Sequence, residues 1–69
     1  MLNESKKLGK NLKTIRTAKG ITQGDISRKL GFGRGYVSNI ENGKTNPTLS
    51  TISKLAKALG ISTKDLFSN

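Results

Sequence analysis

Sixty-nine residues suffice for one domain with a modest core, so separate catalytic and cofactor domains are not expected. Thirteen Lys and Arg against four Asp and Glu give a formal charge of +9, which favours a polyanionic partner, nucleic acid ahead of an anionic membrane surface. The chain has no Cys and no His, which excludes zinc sites built on those ligands and catalysis by thiol or imidazole.

Apolar residues make up 32% of the chain and aromatics 4%, so the core must be mostly Leu, Ile and Val. Gly20, Gly31, Gly43 and Gly60 each follow a helix-like segment, as a glycine just past a helix end does. The first segment, about 4–19, places Leu8, Leu12 and Ile15 on one face and its lysines on the other. Thr22 and Asp25 have the spacing of a capping box and open a short second helix, about 22–30, with Ile26 and Leu30 one turn apart. A third helix is expected over about 34–42, stopped by Asn42-Gly43 and followed by the loop Lys44-Thr45-Asn46-Pro47.

Thr48 or Ser50 can start the fourth helix, about 49–59, whose stripe is Leu49, Ile52, Leu55, Ala56 and Leu59. Ser62 and Asp65 cap a last short helix, about 63–67, carrying Leu66 and Phe67. No segment alternates as a strand would. The expected fold is all-α, a compact bundle of five short helices in a single domain spanning 1–69. No apolar run reaches signal-peptide length or the roughly 20 residues of a membrane span, so a cytoplasmic location is expected. The glycosylation match at Asn3-Glu4-Ser5 is then read as chance.

The third helix carries the sharpest functional signal. At about 100° per residue, Val37 and Ile40 point inward, with Tyr36 and Glu41 at the two edges. The opposite face collects Arg34, Gly35, Ser38, Asn39 and Asn42. These side chains suit base edges, because Arg matches guanine O6 and N7 while Asn matches adenine N6 and N7. An ordinary solvated polar face is the competing reading. The helix follows another through a tight glycine turn in a strongly basic chain, and that setting favours a DNA reader. Gly35 costs about 1 kcal/mol of helix propensity relative to Ala. It either lets the backbone approach DNA closely or has drifted there without consequence. Gly31, Gly33 and Gly35 do not form a phosphate loop, since no strand precedes them and no Gly-Lys-Ser/Thr follows.

In register, these features resemble the Cro/repressor-like helix-turn-helix family, the XRE family of phage repressors and restriction–modification controller proteins. The resemblance covers about 8–67. Its motifs appear as Lys19-Gly20-Ile21-Thr22-Gln23, Leu30-Gly31, Val37-Ser38-Asn39-Ile40-Glu41-Asn42-Gly43, Pro47-Thr48-Leu49 and the run 55–62. It implies a lambda-repressor-like fold and a transcriptional regulator that binds double-stranded DNA as a homodimer on a two-fold operator. It assigns base reading to Arg34, Gly35, Ser38 and Asn39. Thr22, Gln23, Tyr36, Asn42, Lys44 and Thr45 fall where the family holds the sugar–phosphate backbone. Arg16 and Glu41 are expected to form a structural salt bridge.

Leu66 and Phe67 either contact a second copy or close the core. Ser27 stands where the family prefers a small residue, and Gly24 and Gly35 replace better helix formers. An antitoxin-type protein-interaction module that also binds DNA is the alternative function. No enzyme activity, metal, cofactor or small-molecule substrate is expected. The four acidic residues, Glu4, Asp25, Glu41 and Asp65, are scattered, and no nucleophile–base pair is visible.

Overall fold

The computed structural model describes residues 4–68. Asn3 of the sequon match, and residues 1, 2 and 69 of the expected domain, lie outside the described residues. Four α-helices follow one another: α1 (Glu4–Ala18), α2 (Gln23–Leu30), α3 (Arg34–Glu41) and α4 (Leu49–Leu59). The expected fifth helix is a 3-10 helix, Thr63–Phe67. Five residues are enough for this tighter form, whose bonds close over three residues rather than four. Asp65 Oδ2 accepts hydrogen bonds from the Ser62 amide at 3.1 Å and the Ser62 hydroxyl at 3.3 Å, which fixes its start.

The boundaries follow from local chemistry. Thr22 stands just outside α2 as its N-cap. Its hydroxyl accepts from the Asp25 amide, while Asp25 Oδ2 accepts from the Thr22 amide, both at 2.9 Å. Gly31 ends α2 in the left-handed region at φ 74°, and its amide reaches the Ser27 carbonyl. Asn42 is the C-cap of α3 rather than part of it. Thr48, not Ser50, starts α4, accepting from the Thr51 amide at 3.2 Å.

The core is Leu8, Leu12, Ile26, Val37, Ile40, Ile52, Leu55, Ala56, Leu59 and Leu66. α1 packs on α3 and on the 3-10 helix, α2 packs on α3 and α4, and α4 also packs on the 3-10 helix. Two expectations change here. Leu49 is 84% exposed and leaves the core stripe of α4. It is the first residue of its helix, between the exposed Thr48 and Ser50, and has no helical turn before it to lie over. Leu66 is fully buried within the protomer and so cannot supply a contact to a second copy, whereas Phe67 is half-buried. Asn11 ties this segment to α1, donating to the carbonyls of Leu66 at 2.8 Å and Ser68 at 2.7 Å.

Hydrogen bonds from the Thr22 amide and hydroxyl, with the nearby Arg28, hold the Asp25 carboxyl below its ordinary pKa. A carboxyl lowered by folding contributes stability that is complete above its unfolded pKa of about 3.9 and is lost as pH falls through the folded value. Asp25→Asn should therefore melt below the wild type at neutral pH, and the gap should close in acid. Thermal melts followed by circular dichroism from neutral to strongly acid pH check this. A gap that does not change with pH would remove the cap from the account.

Candidate nucleic-acid interface

α2 and α3 are joined by the turn Gly31-Phe32-Gly33. The Ser27 carbonyl accepts from the Gly31 amide at 2.8 Å and the Phe32 amide at 3.0 Å, which closes α2 and reverses the chain. Ser27 is buried where α2 packs into the bundle, and its hydroxyl has no hydrogen-bond partner among the described residues. The Phe32 and Tyr36 rings meet edge to face with centroids 5.1 Å apart, bracing the first turn of α3 from the loop before it.

α3 is inserted through Val37 and Ile40, both fully buried. Arg34, Gly35 and Asn39 are exposed, and Ser38 is half-buried beside them. These four expected base-reading residues therefore share the outward side of one helix. Asn42 is exposed just past its end, and its side-chain amide lies 3.5 Å from the Ser38 hydroxyl. Lys44 is exposed in the following loop, while Thr45 and Tyr36 are half-buried. A Cβ added at Gly35 would meet no atom within 4 Å, so nothing inside the protein requires a glycine there.

The C-terminal end of α3 is held by charge. The Glu41 carboxylate is buried and accepts from Arg16 Nε at 2.5 Å and Arg16 Nη2 at 3.0 Å. This is the expected salt bridge. Arg16 Nη1 also donates to the Ile21 carbonyl at 2.8 Å, so one guanidinium joins α1, the turn before α2, and α3. The hydrogen bond to Glu41, more than its charge, raises the Arg16 pKa, against the opposing effect of burial.

Gln23 was expected only at a phosphate. Its Nε2 also donates to Glu41 Oε1 at 2.9 Å. Gly9 completes the arrangement. A Cβ there would lie 2.8 Å from the Glu41 carbonyl carbon, and main chain cannot move aside cheaply. Only glycine lets α1 approach the end of α3 this closely. Because Glu41 is paired and buried, the outward side of α3 and the loop after it present Arg34 and Lys44 with no free carboxylate among residues 34–45.

Among the described residues no cluster of acidic side chains could hold a metal, and no helix is long and apolar enough to cross a membrane. A helix-turn-helix family model, HTH_3, matches residues 12–66. An uncharacterised HTH-type transcriptional regulator, y4dJ of Sinorhizobium fredii, is 41% identical over 61 residues, covering 88% of this chain and 79% of that protein. The crystal structure of the restriction-modification controller protein C.AhdI from Aeromonas hydrophila superposes with a TM-score of 0.85. It is 42% identical, with 90% of this chain and 94% of that one covered. The controller protein C.Esp1396I, solved as a tetramer with its natural 35 base-pair operator, gives a TM-score of 0.84 at 31% identity, covering 97% of this chain and 88% of that one.

Arg16→Ala would leave the Glu41 charge buried with Gln23 as its remaining side-chain partner. That should cost about 3–5 kcal/mol, the usual penalty for breaking a buried pair. Replacing both partners by apolar residues, Arg16→Met with Glu41→Leu, should cost clearly less. Urea unfolding of the three variants measures both effects. A cost under about 1 kcal/mol for Arg16→Ala would show that the pair is effectively solvated.

Proposed function

The chain belongs to the HTH_3 helix-turn-helix family of DNA-binding transcriptional regulators, and we propose that it acts by laying α3 in the major groove of double-stranded DNA. One observation carries this reading. α3 is anchored on the bundle by Val37, Ile40 and the Glu41 network, and it turns Arg34, Ser38 and Asn39 outward. Arg34 can donate to guanine O6 and N7, and Asn39 can donate to adenine N7 while accepting from N6, with Ser38 between them. Gly35 leaves space for the duplex to approach the helix backbone.

The backbone-holding residues flank this face. Thr22 and Gln23 lie at the N-terminus of α2, where backbone amides favour an anion. Gln23 spends one amide hydrogen on Glu41 and keeps a second for a phosphate oxygen. Tyr36 touches the sugar–phosphate wall, and Asn42, Lys44 and Thr45 hold the backbone beyond the end of α3. The reading places the protein on DNA in the cytoplasm and requires no cofactor.

A homodimer on a two-fold site completes the proposal, with half-sites about 34 Å apart. C.Esp1396I assembles as a tetramer on its operator. Here the surface for a second copy is Leu49, the one exposed large hydrophobic among the described residues. Beside it in sequence lies a groove lined by Leu8, Pro47, Ile52 and Phe67. Leu49→Asp should shift the protein towards monomer in sedimentation equilibrium and weaken operator binding. An unchanged mass distribution in a variant that remains folded would place the contact elsewhere.

Selection of bound sequences from a random DNA pool, followed by titration of the variants, tests the site. Arg34→Ala should cost about 1–3 kcal/mol and relax the preference at one base pair. Lys44→Ala should weaken binding to all sequences alike and lower the salt slope by about one. A pool with no consensus, together with an inert Arg34→Ala, would take the reading role away from α3.

A further inference from the structure

The acidic groups of this chain are mostly committed. Asp25 caps α2 and pairs with Arg28, Glu41 is buried against Arg16, and Asp65 caps the 3-10 helix. Among the described residues no lysine has an ion-pair partner. Three of those lysines meet away from α3. Lys29, Lys54 and Lys57 line a cleft of about 410 Å³ between α2 and α4, together with Leu30 and Ala58. A second hollow of about 240 Å³ shares Lys29 and Ala58 and is otherwise lined by Ile21, Ile26 and Asp25, whose carboxylate is paired with Arg28. α2 packs on both α3 and α4, which places it between the reading helix and this cleft.

Helix dipoles account for part of the pattern. Lys29 and Lys57 sit in the last turns of their helices, where positive charge is favoured. Lys54 is in the middle of α4 and gains nothing there. The dipoles also do not explain why an apolar strip runs between the lysines. On α4, residues 54, 57 and 58 form one stripe at i, i+3 and i+4, and on α2 residues 26, 29 and 30 form another. A basic rim over an apolar floor is the complement of a helix with carboxylates along one edge and small apolar side chains beside them.

We propose that this cleft docks an acidic, amphipathic segment of a partner protein. Its carboxylates pair with Lys29, Lys54 and Lys57, and its apolar side chains cover Leu30 and Ala58. The floor favours such a segment over a duplex, whose backbone offers phosphates but no apolar groups to cover it. The proposal does not depend on how α3 reads DNA.

The test is an isotope-labelled titration of the 69-residue protein with a synthetic helical peptide carrying Glu and Leu at i, i+3 and i+4. Amide shifts should concentrate at 26–30 and 54–58. Replacing the peptide leucines by alanine should weaken binding about tenfold, and Lys54→Glu in the protein should do the same. Shifts spread over every lysine-bearing surface would overturn the proposal. So would equal binding of the alanine peptide, or a random-sequence duplex perturbing the cleft more than the peptide does. The wild-type shift map keeps the test decisive whether or not the variant folds.

Discussion

The C-terminal end of α3, the helix that Val37 and Ile40 dock on the core, is held in place through the Glu41 carboxylate. A negative charge at a helix C-terminus opposes the helix dipole, and burial costs it hydration as well. The Arg16 guanidinium offsets both with two hydrogen bonds, and Gln23 adds a third. The net gain in stability from such a pair is small, since desolvation consumes most of the attraction. Its consequence is geometric. α1, the turn at Ile21, the start of α2 and the end of α3 are held in one register by a single cluster. Gly9 is the condition for that cluster, because any side chain there would force α1 away from the Ile40 and Glu41 carbonyls.

The other helices need such help less. α2 and α4 begin at threonine caps whose hydroxyls satisfy an amide of the first turn, and both end at left-handed glycines. α3 shares the second device, since Gly43 follows it in the left-handed region at φ 71° and the Lys44 amide closes on the Asn39 carbonyl at 2.9 Å, but it lacks the first. Its N-cap is Gly33, which offers no side-chain acceptor, Gly35 weakens it from within, and it is eight residues long. An isolated helix so short is not stable in water. α3 is therefore a helix because Val37, Ile40 and Glu41 are docked, and its outward residues owe their spacing to tertiary contact.

This difference also explains what was legible in the sequence. Helix ends were readable wherever a glycine or a Thr-x-x-Asp spacing marks them, since those signals act within four residues. The apolar period found nine of the ten core residues, and Val37 with Ile40 located the buried side of α3. Arg16–Glu41 was legible through the family pattern. Leu49 was misplaced because a period cannot tell the first residue of a helix from one in its middle. Leu66 had two open roles, and only the packing of the 3-10 helix against α1 selects the core. Gly9 and the second role of Gln23 left no local mark. Each depends on a segment distant in sequence, 18 residues away for the Gln23 contact with Glu41.

The distribution of charge follows from the same economy of acidic groups. With four carboxylates for thirteen basic side chains, every acid that caps a helix or pairs in the interior leaves the surface more positive. Net charge alone would draw any polyanion to any side of the molecule. What separates the sides is the chemistry between the charges. Around α3 the positive groups alternate with an amide, a hydroxyl and a bare glycine backbone, which suit hydrogen-bonding edges. Between α2 and α4 they surround Leu30 and Ala58, which offer no hydrogen bond at all. A duplex can hydrogen-bond with the first surface but has no apolar group to cover the second, which is why we propose different partners for the two positive faces of this small domain.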